Sequence, residues 1–181
     1  MDGDVTEQLE RLSFPRLRLF APGPHELSPA VCDILANYRA TFTHRASEFK
    51  SCYRETEGLL RDVFHVPESF RPLIFGHTGS YNWEMVANNT PRSFRTLGLD
   101  IGSFSKRWSQ VFSDLGRHID VLSAKWGDGV TPDQLRAELS NGYDLVLLIH
   151  NETSTGVALD VKTLCDVVRA VSPQTLIGID A

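Results

Sequence analysis

Three groups of polar residues follow short apolar runs in this sequence, and their side chains are suited to ligand binding. The first group is residues 76–80 (Gly-His-Thr-Gly-Ser), the second is residues 150–156 (His-Asn-Glu-Thr-Ser-Thr-Gly), and the third is Asp180 alone. Glycine lets a backbone approach a ligand closely, and hydroxyl groups or the free N–H groups of a helix start can bind an anion. Asp180 adds a carboxylate. Anion binding is therefore the first chemistry to consider.

The run at residues 76–80 lies between an apolar segment at 73–75 and a helical pattern, so it predicts a strand-to-helix turn. Such a turn either binds a phosphate or is a plain turn with capping hydroxyls, and the pattern leaves both open. No Gly-Lys-Ser/Thr follows it, so it is not a Walker loop. The three-glycine spacing of dinucleotide-binding proteins is also missing, which disfavours ATP and NAD as ligands.

The other two groups follow apolar runs that are typical of buried strands. Residues 150–156 come directly after Leu145–Ile149, and Asp180 ends the run that starts at Leu176. Ligands bind at the carboxyl ends of parallel strands, so both positions are candidates for a binding site. Capping offers another explanation. Residues 150–156 would then form a capped turn into the next helix, and Asp180 would cap a helix that follows it.

Strands and helices alternate from residue 71 onward. The apolar patterns predict strands at 73–75, 94–98, 119–122, 145–149 and 176–179, and helices at 80–88, 105–115, 131–139 and 161–171. This order is typical of right-handed βαβ units around a parallel sheet. We therefore predict an α/β fold with a mostly parallel sheet flanked by helices. The chain stops at the carboxyl end of an apparent core strand, which suggests an incomplete domain.

The first 70 residues have a different organisation. Prolines and a glycine interrupt residues 1–27, which we interpret as an amino-terminal arm. Ser28 is a predicted helix N-cap with Pro29 at the first helical position, and a second helix is predicted from Ser47 to a point before Pro67. The expected division is an arm at 1–27 and an incomplete cofactor-binding large domain at 28–181. That domain comprises two leading helices over 28–66 and the sheet region over 71–181.

Composition argues against nucleic acid and an anionic membrane surface as the main partner. The 181 residues carry a net charge of −5, whereas nucleic acid or an anionic membrane surface requires clustered basic residues.

The first 11 residues contain no apolar signal-peptide core, so we expect a cytoplasmic protein, although an organelle address at the carboxyl terminus stays open. Three widely spaced cysteines fit neither a disulfide framework nor a zinc site, and no metal is expected. We predict them to be buried or half-buried small residues.

Five segments together resemble the class V aminotransferases, in the branch of the alanine–glyoxylate and serine–pyruvate transaminases. They occur in the family's order at residues 21–24 (Ala-Pro-Gly-Pro), 44–49 (His-Arg-Ala-Ser-Glu-Phe), 102–108 (Gly-Ser-Phe-Ser-Lys-Arg-Trp), 150–156 and 179–181 (Ile-Asp-Ala). The resemblance covers about residues 18–181, and the segment Asn-Glu-Thr-Ser-Thr-Gly-Val from residue 151 is its most specific part. Each segment is weak alone, but the ordered set is informative.

The resemblance implies a pyridoxal 5'-phosphate enzyme with part of the large domain of the aspartate-aminotransferase-like, type I fold. Its implied activity moves an amino group between a small amino acid and an oxo-acid, in a protein that is a homodimer when complete. A related pyridoxal-phosphate lyase or desulfurase is an alternative. The cofactor-binding residues that it implies are Thr78, Gly79, Ser80, Phe104, Thr153 and Asp180.

Each of these residues matches one requirement of the cofactor. Residues 78–80 correspond to the family's phosphate-binding turn, and Phe104 corresponds to an aromatic residue that stacks on the ring. Thr153 corresponds to the hydroxyl that bonds the phenolic oxygen, and Asp180 to the carboxylate beside the ring nitrogen. A carboxylate at that position favours the protonated pyridinium, which is why Asp180 is the implied catalytic residue.

The sequence departs from the family pattern in three respects. His77 occupies a position where the family usually has glycine, and Ser80 replaces a more common threonine or histidine. The family's cofactor-attaching lysine lies beyond Asp180, and none of the four lysines (Lys50, Lys106, Lys125 and Lys162) matches its position. We therefore interpret the chain as the amino-terminal half of such an enzyme and expect it to be inactive alone. A non-catalytic remnant that binds a partner subunit is the alternative from a different functional class.

Overall fold

The computed structural model describes residues 26–38 and 42–181. They belong to two compact units, one ending at Ile74 and the other starting at Phe75. All but the last two residues of the predicted arm lie outside the described residues. The division into an arm and one large domain stays a prediction.

The first unit contains helix α1 (Pro29–Asn37) and helix α2 (Ser47–Phe64). The Ser28 hydroxyl accepts a hydrogen bond from the Val31 N–H at 3.4 Å, and Pro29 occupies the first turn. This is the start predicted from the sequence. α2 ends at His65, which adopts a left-handed conformation with φ of 49° and stops the helix before Pro67.

The second unit alternates helices and strands as the sequence predicts. Its elements are α3 (Gly79–Asn89), β1 (Arg95–Asp100), α4 (Ser103–Asp114), β2 (His118–Ser123), α5 (Pro132–Leu139), β3 (Leu145–Ile149), β4 (Asn151–Glu152), β5 (Val157–Ala158), α6 (Val161–Val171) and β6 (Leu176–Asp180). Among the described residues, no helix is both long enough and apolar enough to cross a membrane.

Four strands form one parallel sheet in the order β2-β1-β3-β6, which confirms the predicted parallel arrangement. β1 and β3 are the central strands. In the register of β3 with β6, Ile149 is paired with Asp180. The carboxyl ends of all four strands therefore lie along one edge of the sheet, which we call the carboxyl rim.

Helices cover both faces of this sheet. All five residues of β3 are buried, as its continuous apolar run predicts. Val146 and Leu148 pack in a cluster with Leu135 of α5 and with residues of α6, whereas Leu145 and Leu147 pack with α3 and α4. On the second face, the indoles of Trp83 and Trp108 stack with their centroids 6.0 Å apart, which joins α3 to α4.

Two predictions about the interior are wrong. The expected strand at residues 73–75 is not a strand, and its three large apolar side chains are exposed. A strand needs a neighbour for its backbone hydrogen bonds, and the ladders of the described sheet join only β1, β2, β3 and β6. The cysteine prediction holds only for Cys165, which is half-buried, because Cys32 and Cys52 are exposed on α1 and α2.

Candidate functional site

The loops after β1 and β3 meet the end of β6 at the carboxyl rim. The His150 N–H donates a hydrogen bond to the backbone carbonyl of Asp180 at 2.7 Å, directly beyond the last pair of the β3–β6 ladder. The Thr155 hydroxyl donates to the Ile101 carbonyl at 3.4 Å, just after β1. The second and third candidate groups of the sequence are therefore adjacent, and the second group also contacts the residues at the start of α4.

A short hairpin presents Thr153 at this rim. β4 and β5 pair in antiparallel fashion, and Gly156 allows the tight turn with φ of 75°. Both Thr155 and Gly156 donate their N–H groups to the Glu152 carbonyl, at 3.1 and 3.0 Å. Thr153 lies in the turn and is exposed, so its hydroxyl is accessible to a ligand. The sequence predicts a loop here but not the hairpin within it.

Glu152 caps helix α4, a role that the sequence did not reveal. The helix starts after Gly102, which has no side chain with which to cap it. The Glu152 carboxylate instead accepts hydrogen bonds from the N–H groups of Phe104, at 3.3 Å, and Ser105, at 2.9 Å. The Ser154 hydroxyl accepts a third from Ser103 at 2.8 Å and donates to Glu152 at 2.6 Å. The hairpin thus satisfies the first three N–H groups of the helix.

The Glu152 side chain is ionised although the residue is fully buried at 0 % exposure. Burial is the largest influence and raises the pKa of Glu152, but hydrogen bonds from Ser154, Ser105 and Phe104 together outweigh it and hold that pKa below its ordinary value. The start of a helix also carries a partial positive charge, which favours a carboxylate there. A buried anion is therefore stabilised at the rim.

This ionisation predicts a pH-dependent contribution to stability. Because the pKa of Glu152 is lowered by folding, its stabilisation is present above the unfolded value of about 4.3 and is lost as the pH falls through the folded value. We expect Glu152→Gln to reduce the free energy of unfolding by about 2 kcal/mol at pH 7. The deficit should shrink below about pH 4.3 in urea titrations at several pH values. A stability difference between Glu152→Gln and the unsubstituted protein that stays constant down to pH 3 would contradict the assignment of an ionised carboxylate to Glu152.

Gly102 is required for the approach of Glu152 to the helix. A Cβ atom at Gly102 would lie 2.4 Å from the Glu152 Cδ atom, well inside any normal contact distance. The two residues are 50 positions apart, and capping residues are normally sought next to the helix. Two indirect signals of this cap are present in the sequence, a glycine at the N-cap of α4 and an acidic residue inside the most specific family segment.

Phe104 lies in the first turn of α4 with its backbone N–H bound to Glu152 and its side chain 43 % exposed. An exposed ring on a fixed backbone presents a rigid apolar surface at the rim. Asp180 is half-buried at the end of β6. Glu152 and Ser154 join the hairpin that carries Thr153 to the start of α4, where Phe104 lies. His150 binds the backbone of Asp180. All three candidate residues therefore lie at the same edge of the sheet.

The turn at residues 78–80 is joined to this rim by packing rather than by hydrogen bonds. Thr78 is the N-cap of α3, and its side chain makes no capping hydrogen bond, which leaves the first N–H groups of the helix without a side-chain cap. α3 packs on α4 through the Trp83–Trp108 stack. The Trp108 ring also faces Gly178 of β6, where a Cβ atom would come within 3.4 Å of it. Within the described residues, no hydrogen bond links this turn to the rim loops.

His77 differs from the glycine usual at its position in the family. Its ring stacks on Phe75 with centroids 5.4 Å apart and lies 4.7 Å from the Tyr81 ring. Its Nδ1 atom is 2.8 Å from the Thr78 carbonyl oxygen, so this nitrogen donates there. The aromatic contacts explain how a histidine is accommodated beside the turn.

Comparison with family models identifies the family of this chain. The family model described as aminotransferase class-V matches residues 22–181. The chain belongs to the class-V aminotransferases. Members of this family are pyridoxal-phosphate enzymes, so the resemblance stated from the sequence is confirmed.

The chain is also similar to individual aminotransferases. Serine–glyoxylate aminotransferase of Arabidopsis thaliana is 32 % identical over 161 residues, which cover 83 % of this chain and 39 % of the relative. Alanine–glyoxylate aminotransferase 1 of Saccharomyces cerevisiae is 29 % identical over 172 residues, covering 90 % of this chain and 44 % of the relative. The chain thus spans less than half the length of these relatives.

Solved structures of aminotransferases have the same fold as this chain. An aspartate aminotransferase of subgroup IV from Thermus thermophilus superposes with a TM-score of 0.77 at 31 % identity, over 88 % of this chain and 44 % of the other. Ureidoglycine–glyoxylate aminotransferase from Bacillus subtilis gives a TM-score of 0.80 at 23 % identity, over 94 % and 43 %. The second similarity concerns the fold alone. Both support the predicted type I fold.

Proposed function

We propose that this protein binds pyridoxal 5'-phosphate at the carboxyl rim and contributes to amino-group transfer between a small amino acid and an oxo-acid. The observation that carries the proposal is the common location of Phe104, Thr153 and Asp180 at one edge of the sheet in a class-V aminotransferase. Relatives named for serine, alanine and glyoxylate suggest these compounds as the substrate class.

The residues present suit the chemistry of the cofactor. The phosphate requires N–H and hydroxyl donors, which the uncapped start of α3 offers at Thr78, Gly79 and Ser80. The ring requires an aromatic surface, and Phe104 exposes one. The remaining polar requirements are met by the exposed Thr153 hydroxyl and the Asp180 carboxylate. These residues therefore offer the non-covalent contacts that pyridoxal phosphate requires.

When bound, pyridoxal phosphate supplies the electron sink for bond breaking at the substrate's α-carbon. The protein's own residues prepare the site. Asp180 would hold a proton on the ring nitrogen by charge-assisted hydrogen bonding. Thr153 would donate its hydroxyl to the phenolic oxygen. Phe104 would stack on the ring and exclude water from one face.

We assign no cofactor-attaching role to the lysines of this chain. Lys106 is in the first turn of α4 and pairs with Asp100 at 3.4 Å, and Lys162 pairs with Asp166 at 2.7 Å. The other two lysines are Lys50 in α2 and Lys125 after β2. None of the four matches the position of the family's cofactor-attaching lysine. Non-covalent binding is therefore the activity expected of residues 1–181.

The experiment that tests the proposal uses pyridoxamine 5'-phosphate, because this form of the cofactor binds without a lysine. We expect saturable binding of the fluorescent ligand to the purified protein, with competition by pyridoxal phosphate but not by equal concentrations of inorganic phosphate. A titration without saturation would overturn the proposal. Stereospecific amino transfer from serine or alanine to glyoxylate by residues 1–181 alone would contradict the lysine assignment.

We further propose a cytoplasmic homodimer as the working form of the protein. Large apolar side chains that stay exposed in the first unit, such as Ile34, Leu35 and Phe64, offer surface for a second subunit. Sedimentation of the purified protein at several concentrations checks the oligomeric state.

A further inference from the structure

We propose that Glu152 is a positioning residue that holds two cofactor-contacting segments, Phe104 on α4 and Thr153 on the hairpin, as a single unit. The inference rests on the proposed function and concerns the same site. Glu152 itself is fully buried, so it acts through its neighbours rather than by touching the cofactor.

One carboxylate oxygen, Oε1, bonds to both segments, and the other, Oε2, bonds to the helix alone. Oε1 accepts from the Phe104 N–H at 3.3 Å and from the Ser154 hydroxyl at 2.6 Å. It also lies 3.4 Å from the Ser154 backbone nitrogen, and Oε2 accepts from Ser105 at 2.9 Å. Thr153 lies between Glu152 and Ser154 in the chain, so both of its neighbours are fixed to the start of α4.

A carboxylate is needed because every group that faces it is a donor. An ionised carboxylate only accepts hydrogen bonds and has about four lone-pair sites, whereas an amide has one acceptor atom and an NH₂ group. In Glu152→Gln, the NH₂ group faces a backbone N–H of the helix in either orientation, that of Phe104 or that of Ser105. The start of α4 then loses an acceptor and shifts relative to the hairpin.

Movement of either segment changes the geometry of the proposed cofactor site. Phe104 and Thr153 would contact different atoms of the cofactor, so their relative position decides whether both contacts form together. Displacements of about 1 Å in such a site are enough to weaken binding or catalysis severely. Glu152 therefore controls affinity for the cofactor as well as stability.

A matched pair of variants separates positioning from a general loss of stability. Glu152→Gln is compared with Val168→Ala, which removes a fully buried side chain on α6 and leaves the rim contacts intact. Both variants are titrated with pyridoxamine phosphate at a temperature where thermal unfolding shows each to be folded. Ser154→Ala, which removes the 2.6 Å contact and the capping of Ser103, serves as a milder variant if Glu152→Gln does not fold.

We expect Glu152→Gln to raise the Kd for pyridoxamine phosphate roughly tenfold, equal to about 1.4 kcal/mol, and Ser154→Ala to raise it about threefold. Val168→Ala should stay within about twofold of the unsubstituted protein. The emission maximum of the bound ligand should shift in the two rim variants alone. Equal Kd values in Glu152→Gln and Val168→Ala, or in Ser154→Ala and the unsubstituted protein, would overturn the inference. No binding by the unsubstituted protein would instead overturn the proposed function.

Discussion

Replacement of Asp180 by asparagine is expected to raise the Kd for pyridoxamine phosphate by roughly 10- to 100-fold, because a hydrogen bond between two charged groups becomes a weaker one. The carboxylate of Asp180 is assigned to the ring nitrogen, and an amide keeps nearly the same shape without the negative charge. The protonated ring then loses its partner. The pH at which the bound ligand's absorbance titrates should also fall.

The control for this prediction is Asp166→Asn. Asp166 is an exposed carboxylate on α6 that pairs with Lys162 at 2.7 Å, away from the rim. Removing its charge changes the net charge of the protein by the same amount and should leave the Kd within about twofold. Equal effects of the two substitutions would show that Asp180 acts only through net charge.

Replacement of Gly102 by alanine is expected to reduce the free energy of unfolding by about 2–4 kcal/mol. The new Cβ atom would lie 2.4 Å from the Glu152 side chain, so the carboxylate must leave the start of α4. Two N–H groups of the helix then lose their acceptor, and the buried charge loses its donors. Urea denaturation of the purified protein measures the change.

Gly76→Ala is the matched control for this substitution. A Cβ atom at Gly76 would meet nothing within 4 Å, so the substitution should change stability by less than about 0.5 kcal/mol. If Gly102→Ala were equally neutral, the close approach of Glu152 would not be required for folding. The capping role described for the carboxylate would then be wrong.

The strands and helices of the second unit could be predicted because their signals are local. The unbroken run Leu145–Ile149 is typical of a strand buried on both faces, and β3 is buried at all five positions. Helix α6 has its predicted bounds because Leu164, Val167 and Val168 recur at helical spacing and are buried. The parallel order follows from strands that alternate with helices.

The failures concern interactions between residues that are distant in the sequence. The apolar side chains at 73–75 suggest a strand, but the pattern cannot show whether a neighbouring strand is present to pair with it. Glu152 caps α4 by accepting a hydrogen bond from the N–H of Phe104, a residue 48 positions earlier in the chain. A local search for capping residues therefore cannot find it.

The candidate site depended more on resemblance than on pattern. Chemistry alone indicated anion binding at residues 76–80 and a ligand loop at 150–156, and for each a capped turn stayed open as a structural explanation. The aromatic residue Phe104 was identified only through the family segment at 102–108. The roles of Thr78, Gly79, Ser80, Phe104, Thr153 and Asp180 stay predictions that rest on their positions at the rim and at the start of α3.

A crystal structure of the protein with pyridoxamine phosphate tests most directly whether one cofactor joins these residues. We expect the phosphate at the N–H groups of residues 78–80, the ring against Phe104, and the ring nitrogen within hydrogen-bond distance of the Asp180 carboxylate. Phosphate density elsewhere, or a ring that contacts neither Phe104 nor Asp180, would contradict the account.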